Sequence, residues 1–346
     1  MDFTTGGRLE VRITPSDVGK RVSVRLRIEG GNSGARFTDV VGVLTSWTSG
    51  VLCVTRRTGE EVRIAEASLV AGKVVPAAPA RRRGPAATAA ELDRAAARAW
   101  PPVESERLGA WELRAAGGFT RRANSVLPLG DPGVPVEEAL RLVTAWYAER
   151  GLPAYVQVST GAEGTQELLA AELAAHGWIQ EVSAEIRIAA LAPLADLDAD
   201  VSRVALSQDI DEAWLARYQR SASGEPAPEV LRVLGGGPSV WFATIATAEA
   251  TSETENESVP AAIGRCVVDG RWAGFTAVET DPRLRRQGLA TAVMTALARK
   301  ALEEGASAAY LQVETDNDGA RALYEGMGFT LHHRYHHWRA PHENHR

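Results

Sequence analysis

The stretch that most constrains this chain runs from Asp281 to Met294, DPRLRRQGLATAVM. Before it, Trp272 to Thr280 (WAGFTAVET) is rich in aromatic and β-branched residues and predicts a strand. After it, Leu289, Val293, Leu297 and Ala301 fall four apart and predict a helix with one apolar stripe. Gly305 is placed to end that helix. Arg285-Arg286-Gln287-Gly288-Leu289-Ala290 is therefore a strand-to-helix turn. A helix N-terminus exposes unpaired backbone N–H groups and the positive end of its dipole. Gly288 and Ala290 keep side chains clear of that backbone, and Arg285 and Arg286 can add charge-assisted hydrogen bonds to phosphate oxygens. The expectation is a diphosphate-binding turn.

A second block follows, AYLQVETDNDGARALYEGMGF from Ala309 to Phe329. It predicts a strand, a polar turn, a short helix and a Gly-Phe exit into another strand. In order and spacing the two blocks resemble the GNAT superfamily of acyl-CoA-dependent N-acyltransferases. That family grips the CoA pyrophosphate with a (Gln/Arg)-x-x-Gly-x-(Gly/Ala) loop, matched here by Arg285, Gly288 and Ala290, with Arg286, Gln287 and Leu289 between and beside them. The resemblance implies that pantetheine lies along the fourth strand, at Val278 to Thr280, and that Asn317 contacts the cofactor. It also implies an acetyl-CoA co-substrate and no metal.

The 346 residues predict two or three domains, and a net charge of −6 disfavours a general nucleic-acid binder while mildly favouring cationic acceptors. Cys53 and Cys266 have neither metal spacing nor a disulfide framework and are expected as free thiols. The N-terminus lacks an apolar signal region and no stretch approaches a membrane span, so a cytoplasmic protein with no membrane partner is expected.

Residues 1–75 predict short alternating strands. In Val22-Ser-Val-Arg-Leu-Arg-Ile28, Val22, Val24, Leu26 and Ile28 face inward. Turns at Ser49-Gly50 and Thr58-Gly59 separate later strands, and the layout resembles the SH3-like barrel that precedes some actinobacterial GNAT proteins. Residues 76–90, with an Arg81 to Arg83 run, are expected as a Pro/Ala-rich linker. Residues 91–195 predict a helix, then a hairpin from Trp111–Ala115 and Thr120–Leu129, a helix from Val136 to Arg150, a strand, a helix from Gln166 to His176, and a Gly177-Trp178 exit to a last strand. This order repeats in residues 196–340, so an internal duplication is expected.

The fold class expected is α+β (mixed α/β), with tandem GNAT folds whose central mixed β-sheets are flanked by helices, behind a small all-β barrel. The first copy is degenerate where the second has its anion turn. It reads LGDPGVPV from Leu129 to Val136, where Asp131 repels a diphosphate and Pro132 and Pro135 remove backbone donors. Leu173 or Ala174 stands where the second copy has Tyr324. The polar run from Ala248 to Glu257 is expected as a hairpin loop without a role.

Within the GNAT resemblance Tyr324 is the expected general acid. A phenol of pKa about 10 can protonate a thiolate derived from a thiol of about 8.5. The general base stays open. Gln312 stands where some relatives carry a carboxylate, and Glu279 and Glu314 are the nearby candidates. Six of the seven histidines lie at His332, His333, His336, His337, His342 and His345. On a strand His333, Tyr335 and His337 share one face, so Tyr335 or His337 is expected near the acceptor rather than on a metal. Two functions stand. One is an N-acetyltransferase acting on an amine of a small molecule or protein, with Tyr324 and Glu279 in the chemistry. The other is an acyl-CoA-binding regulatory or scaffolding protein without turnover. The sequence leaves the oligomeric state open.

Overall fold

The computed structural model describes residues 10–28, 36–56, 60–75, 85–218, 226–247 and 259–341. The Thr58-Gly59 turn, the Arg81 to Arg83 run, the Ala248 to Glu257 segment, His342 and His345 fall outside them. The chain divides into two compact units, Met1–Arg83 and Gly84–Arg346.

The first unit is all β. Strands β1 (Arg21–Ile28), β2 (Arg36–Thr48), β3 (Val51–Thr55), β4 (Glu61–Ala65) and β5 (Leu69–Val74) form an antiparallel sheet in the order β4-β3-β2-β1-β5. Alternation buries Val22, Val24, Val40, Leu44, Leu52, Val54 and Ile64 in one core. Ser49 and Gly50, both at positive φ, close the tight β2–β3 hairpin, as that dipeptide predicts.

The second unit opens with α1 (Ala89–Ala99), β6 (Glu104–Leu108), β7 (Trp111–Ala115), β8 (Leu127–Pro128) and α2 (Val136–Ala148). It continues through β9 (Tyr155–Thr160), α3 (Glu167–Ala175), β10 (Ile179–Ala190) and α4 (Leu191–Ala195). Then come β11 (Val204–Ser207), α5 (Glu212–Arg217), α6 (Pro228–Gly235), β12 (Ser239–Ile245), β13 (Ala262–Asp269) and β14 (Trp272–Thr280). The chain ends with α7 (Leu289–Glu303), β15 (Ala308–Glu314), α8 (Asp318–Gly326) and β16 (Thr330–Arg339).

The strand expected over Thr120 to Leu129 is mostly irregular, with only Leu127–Pro128 in a strand and Val126 in an isolated bridge. Buried Asn124 explains this. Its Oδ1 accepts from the N–H groups of Ala116 and Gly118, and its Nδ2 donates to the carbonyls of Phe119 and Thr120. These bonds fold the segment onto itself and offer the backbone an alternative to a ladder.

The two copies share one eight-stranded sheet, β11-β12-β13-β14-β15-β10-β16-β9. Only β14 and β15 are parallel. Each copy ends in the motif strand, helix, strand (β9-α3-β10 and β15-α8-β16), yet neither last strand pairs with its own predecessor. β10 pairs with β15, and β16 pairs with β9. The last strands are exchanged and meet each other antiparallel, between β15 and β9. One face of the sheet packs Leu191 and Leu194 of α4 and Val293 and Leu297 of α7 against Phe275 and Leu311. The other face packs Leu92 of α1, Trp214 of α5 and Val233 of α6 against Ile186, Ile263 and Tyr310. A third core gathers Leu140, Val143, Trp146 and Leu173 around β7 and β9. Among the described residues no helix is long and apolar enough to cross a membrane.

Candidate active site

β14 and β15 pair only from Trp272↔Ala308 to Phe275↔Leu311, and beyond that they part. A bulge in β14 lies at the parting. Ile263 opposes Glu279 and Arg265 opposes Thr276, so Ala277 and Val278 together face Gly264. Ala277 adopts φ 50°, the left-handed region, which costs a non-glycine residue about 1–2 kcal/mol. Gly264 has no alternative: a Cβ there would lie 2.4 Å from Cγ1 of Val293, because α7 packs directly against the bulge. The backbone from Thr276 to Thr280 thus has a strand partner on its β13 side and an open edge toward β15.

The turn after β14 is pinned by Asp281, whose carboxylate accepts from the N–H of Arg283 at 2.9 Å and pairs with Arg217 at 2.8 Å and Arg283 at 3.1 Å. Hydrogen bonds from Arg283, with that from Arg217, hold this carboxyl well below the usual range. Arg286 and Gly288 both take left-handed φ values, 62° and 79°. Gly288 is the N-cap of α7, and no side chain caps that helix, so its first-turn N–H groups lack an intrahelical or capping partner. A Cβ at Gly288 would meet nothing within 4 Å, so the front of the turn is open space.

A cleft of about 780 Å³ joins these features. Val278, Glu279, Thr280, Arg285, Arg286, Gly288, Leu289 and Ala290 border it on one side, and Gln312, Glu314, Asn317 and Tyr324 on the other. Gln287, within the same turn, is exposed and does not border it. Asn317 is the N-cap of α8, accepting from the N–H of Ala320 at 3.1 Å. The Tyr324 ring packs edge-on against Phe329, and burial pushes its phenol up to about 12.

Sequence reasoning missed three lining residues, Trp100, Arg122 and Tyr218. Arg122 lies over the Trp100 ring, 5.7 Å from its centroid, and its Nε donates to the Tyr335 hydroxyl at 3.1 Å. No local pattern marks them, because Trp100 and Tyr218 sit at the ends of α1 and α5 and Arg122 in the irregular loop before β8, and only packing brings them to the cleft. Of the face-sharing trio on β16, His333 is bound to Asp93 of α1 at 3.2 Å and lies away from the cleft. Tyr335 and His337 border a second pocket of about 410 Å³, with Arg122 and Glu314 common to both cavities. Among the described residues no cluster of three or more His, Cys, Asp or Glu side chains could hold a metal.

Residues 86–338 match the family described as "Probable histone acetyltransferase Rv0428c C-terminal", and residues 16–73 match its N-terminal Sm-like domain. The chain belongs to this family of GNAT acetyltransferases. It is 28% identical over 320 residues to the probable histone acetyltransferase Rv0428c of Mycobacterium tuberculosis, covering 91% of this chain and 93% of that protein. It is 25% identical over 249 residues to the uncharacterized N-acetyltransferase YobR of Bacillus subtilis, covering 69% of this chain and 94% of that one. A solved GCN5-related N-acetyltransferase from Kribbella flavida superposes with a TM-score of 0.53 at 18% identity, covering 73% of this chain and 96% of its own, a likeness of fold.

The first GNAT-like copy carries the same scaffold without the opening. Val126 bridges to Val156 as β14 does to β15, but beyond it Gln166 spans the gap. Its Oε1 accepts from the N–H of Ser159 at 2.8 Å and its Nε2 donates to the carbonyl of Pro128 at 2.5 Å. Pro135 occupies the N-cap of α2, and Asp131 folds back to accept from the N–H of Gly133 at 2.7 Å.

Proposed function

We propose that this GNAT enzyme transfers an acetyl group from acetyl-CoA to a primary amine, in the cleft of the second copy. The uncapped start of α7 beside the open edge of β14 carries this reading. Main-chain N–H groups of the α7 first turn would bind the diphosphate, with Arg285 and Arg286 adding charge. Neither arginine makes an ion pair among the described residues. The edge from Thr276 to Thr280 would pair with the pantetheine amides as an added strand does.

Acetyl-CoA would supply a thioester, whose carbonyl carbon bonds to the amine nitrogen as its C–S bond breaks. The protein's own part is proton handling and orientation. Main-chain groups taken out of the ladder by the Ala277–Val278 bulge would polarise the thioester oxygen. Tyr324, kept protonated by burial, would give its proton to the departing sulfur. Glu279, on the bulged strand, is assigned to take the proton from the amine, with Glu314 across the cleft as the other carboxylate within it.

Titration with acetyl-CoA, followed by thiol release across a panel of amines, tests the assignment. Binding with acceptor-dependent thiol release is expected. Binding without release on any amine would favour an acyl-CoA-responsive regulatory protein, and absence of binding would remove the site.

A further inference from the structure

The second pocket opens from the inner end of the cleft, past Arg122 and Glu314. Its wall combines the first copy's loop, through Arg121 and Arg122, with Tyr335 and His337 of β16. His337 is only 3% exposed, and neither of its ring nitrogens has a hydrogen-bond partner. The neighbouring histidines differ. His332 is bonded to the Ala87 carbonyl, His333 to Asp93, and His336 to Thr160 and Ser183. A buried imidazole left unsatisfied is costly, and its bordering a cavity points to a ligand.

The charges around this pocket are predominantly positive. Arg121 is paired with Glu181 at 3.3 Å. Arg122 uses Nε for Tyr335, and no hydrogen bond ties its two terminal nitrogens among the described residues. Arg114, 2% exposed and near His337, bonds only neutral groups: the Ser125 carbonyl and hydroxyl and the Gln157 carbonyl. The pocket wall itself thus carries the guanidinium groups of Arg121 and Arg122 against the carboxylate of Glu314, while Arg114, outside the wall, also feels Glu112 and Asp93.

We infer that this pocket receives a carboxylate of the acceptor, held by the terminal nitrogens of Arg122 and a ring N–H of His337, so that the acceptor is an amine that also carries a carboxylate. The inference rests on the acetyl-transfer reading for what the amine does there. A planar guanidinium presents paired donors that match a carboxylate. Burial, and then the fields of Arg114, Arg122 and Arg121, keep the imidazole neutral, with one N–H to donate. With the carboxylate so placed, the amine lies on the Glu314 side, toward the cleft. A polycationic peptide would meet like charge here, although the chain as a whole carries −6. The Mycobacterium tuberculosis relative's name, by contrast, points to histones.

The test uses full-length protein with isotope-labelled histidine, saturated with CoA and titrated with ω-amino acids from glycine to 6-aminohexanoate and with the amide of each. At least one free acid is expected to shift the His337 ring signals, with its amide binding at least about tenfold more weakly. Arg122→Gln should weaken that acid by a similar factor and Arg122→Lys should restore part of it, while unchanged His333 and His176 signals report an intact fold. The inference is overturned if no acid moves His337, if amides move it equally, or if Arg122→Gln leaves the titration unchanged. CoA binding is followed separately by calorimetry, so absence of binding there would count against the acetyl-transfer reading while the His337 result stands by itself.

Discussion

The two halves of the second unit run through a similar order of elements and contrast at three places. Where α7 begins at uncapped Gly288, α2 begins at Pro135, behind an Asp131 turned onto its own loop. Asn317, the N-cap of α8, keeps its side chain on its own helix, whereas Gln166, the N-cap of α3, reaches across and closes the gap. Tyr324 edges the open cleft, and the corresponding region of α3 buries Leu173 in the core. In the first half, one amide side chain satisfies the backbone groups at the strand gap that the second half leaves open. The first copy retains a part, since its loop lends Arg122 to the second copy's cleft.

The largest expected effect is that of Gly288→Glu. A side chain at φ 79° and a carboxylate at the helix start both oppose diphosphate, so acetyl-CoA affinity should fall by about a hundredfold or more in calorimetry. Equal affinity would erase the contrast between the copies. Next is Tyr324→Phe, which should lower kcat by roughly 10²–10⁴ while the Kd for acetyl-CoA is kept. Unchanged turnover would remove Tyr324 as the acid.

A pH profile sharpens the same assignment. With its pKa raised to about 12, the phenol holds its proton below that pH and loses it only above. The rate should therefore rise as the amine is deprotonated and show no phenol-dependent fall below about pH 11. A falling limb near pH 10 that disappears in the Phe variant would contradict this. The smallest effect is expected from Gln166→Ala, which strands the Ser159 N–H and the Pro128 carbonyl. Stability should drop by about 1–3 kcal/mol in denaturant melts, with acetyl-CoA stoichiometry unchanged. Appearance of a second binding site would mean that the plug alone silences the first copy.

The turn from Arg285 to Ala290 was legible in sequence because its determinants are local: a strand, a glycine and a periodic helix. The strand-turn-helix setting that brings Asn317 and Tyr324 to the cleft border was legible in the second block. The Thr120 to Leu129 strand was misread because the four hydrogen bonds of Asn124 leave no trace in periodicity. The exchange of β10 and β16 was equally hidden, since each strand alternates in the same way whichever neighbour it joins. Arg122 meets Tyr335 and His337 through β16, and Trp100 joins them through the packing of α1, so neither could be assembled from local pattern.

A crystal structure of the protein with CoA tests the central claim most directly. The account predicts diphosphate oxygens within hydrogen-bonding distance of the main-chain nitrogens from Gly288 to Ala290, and pantetheine along Thr276 to Thr280. Diphosphate seated in the first copy, or held by side chains away from the α7 start, would contradict it.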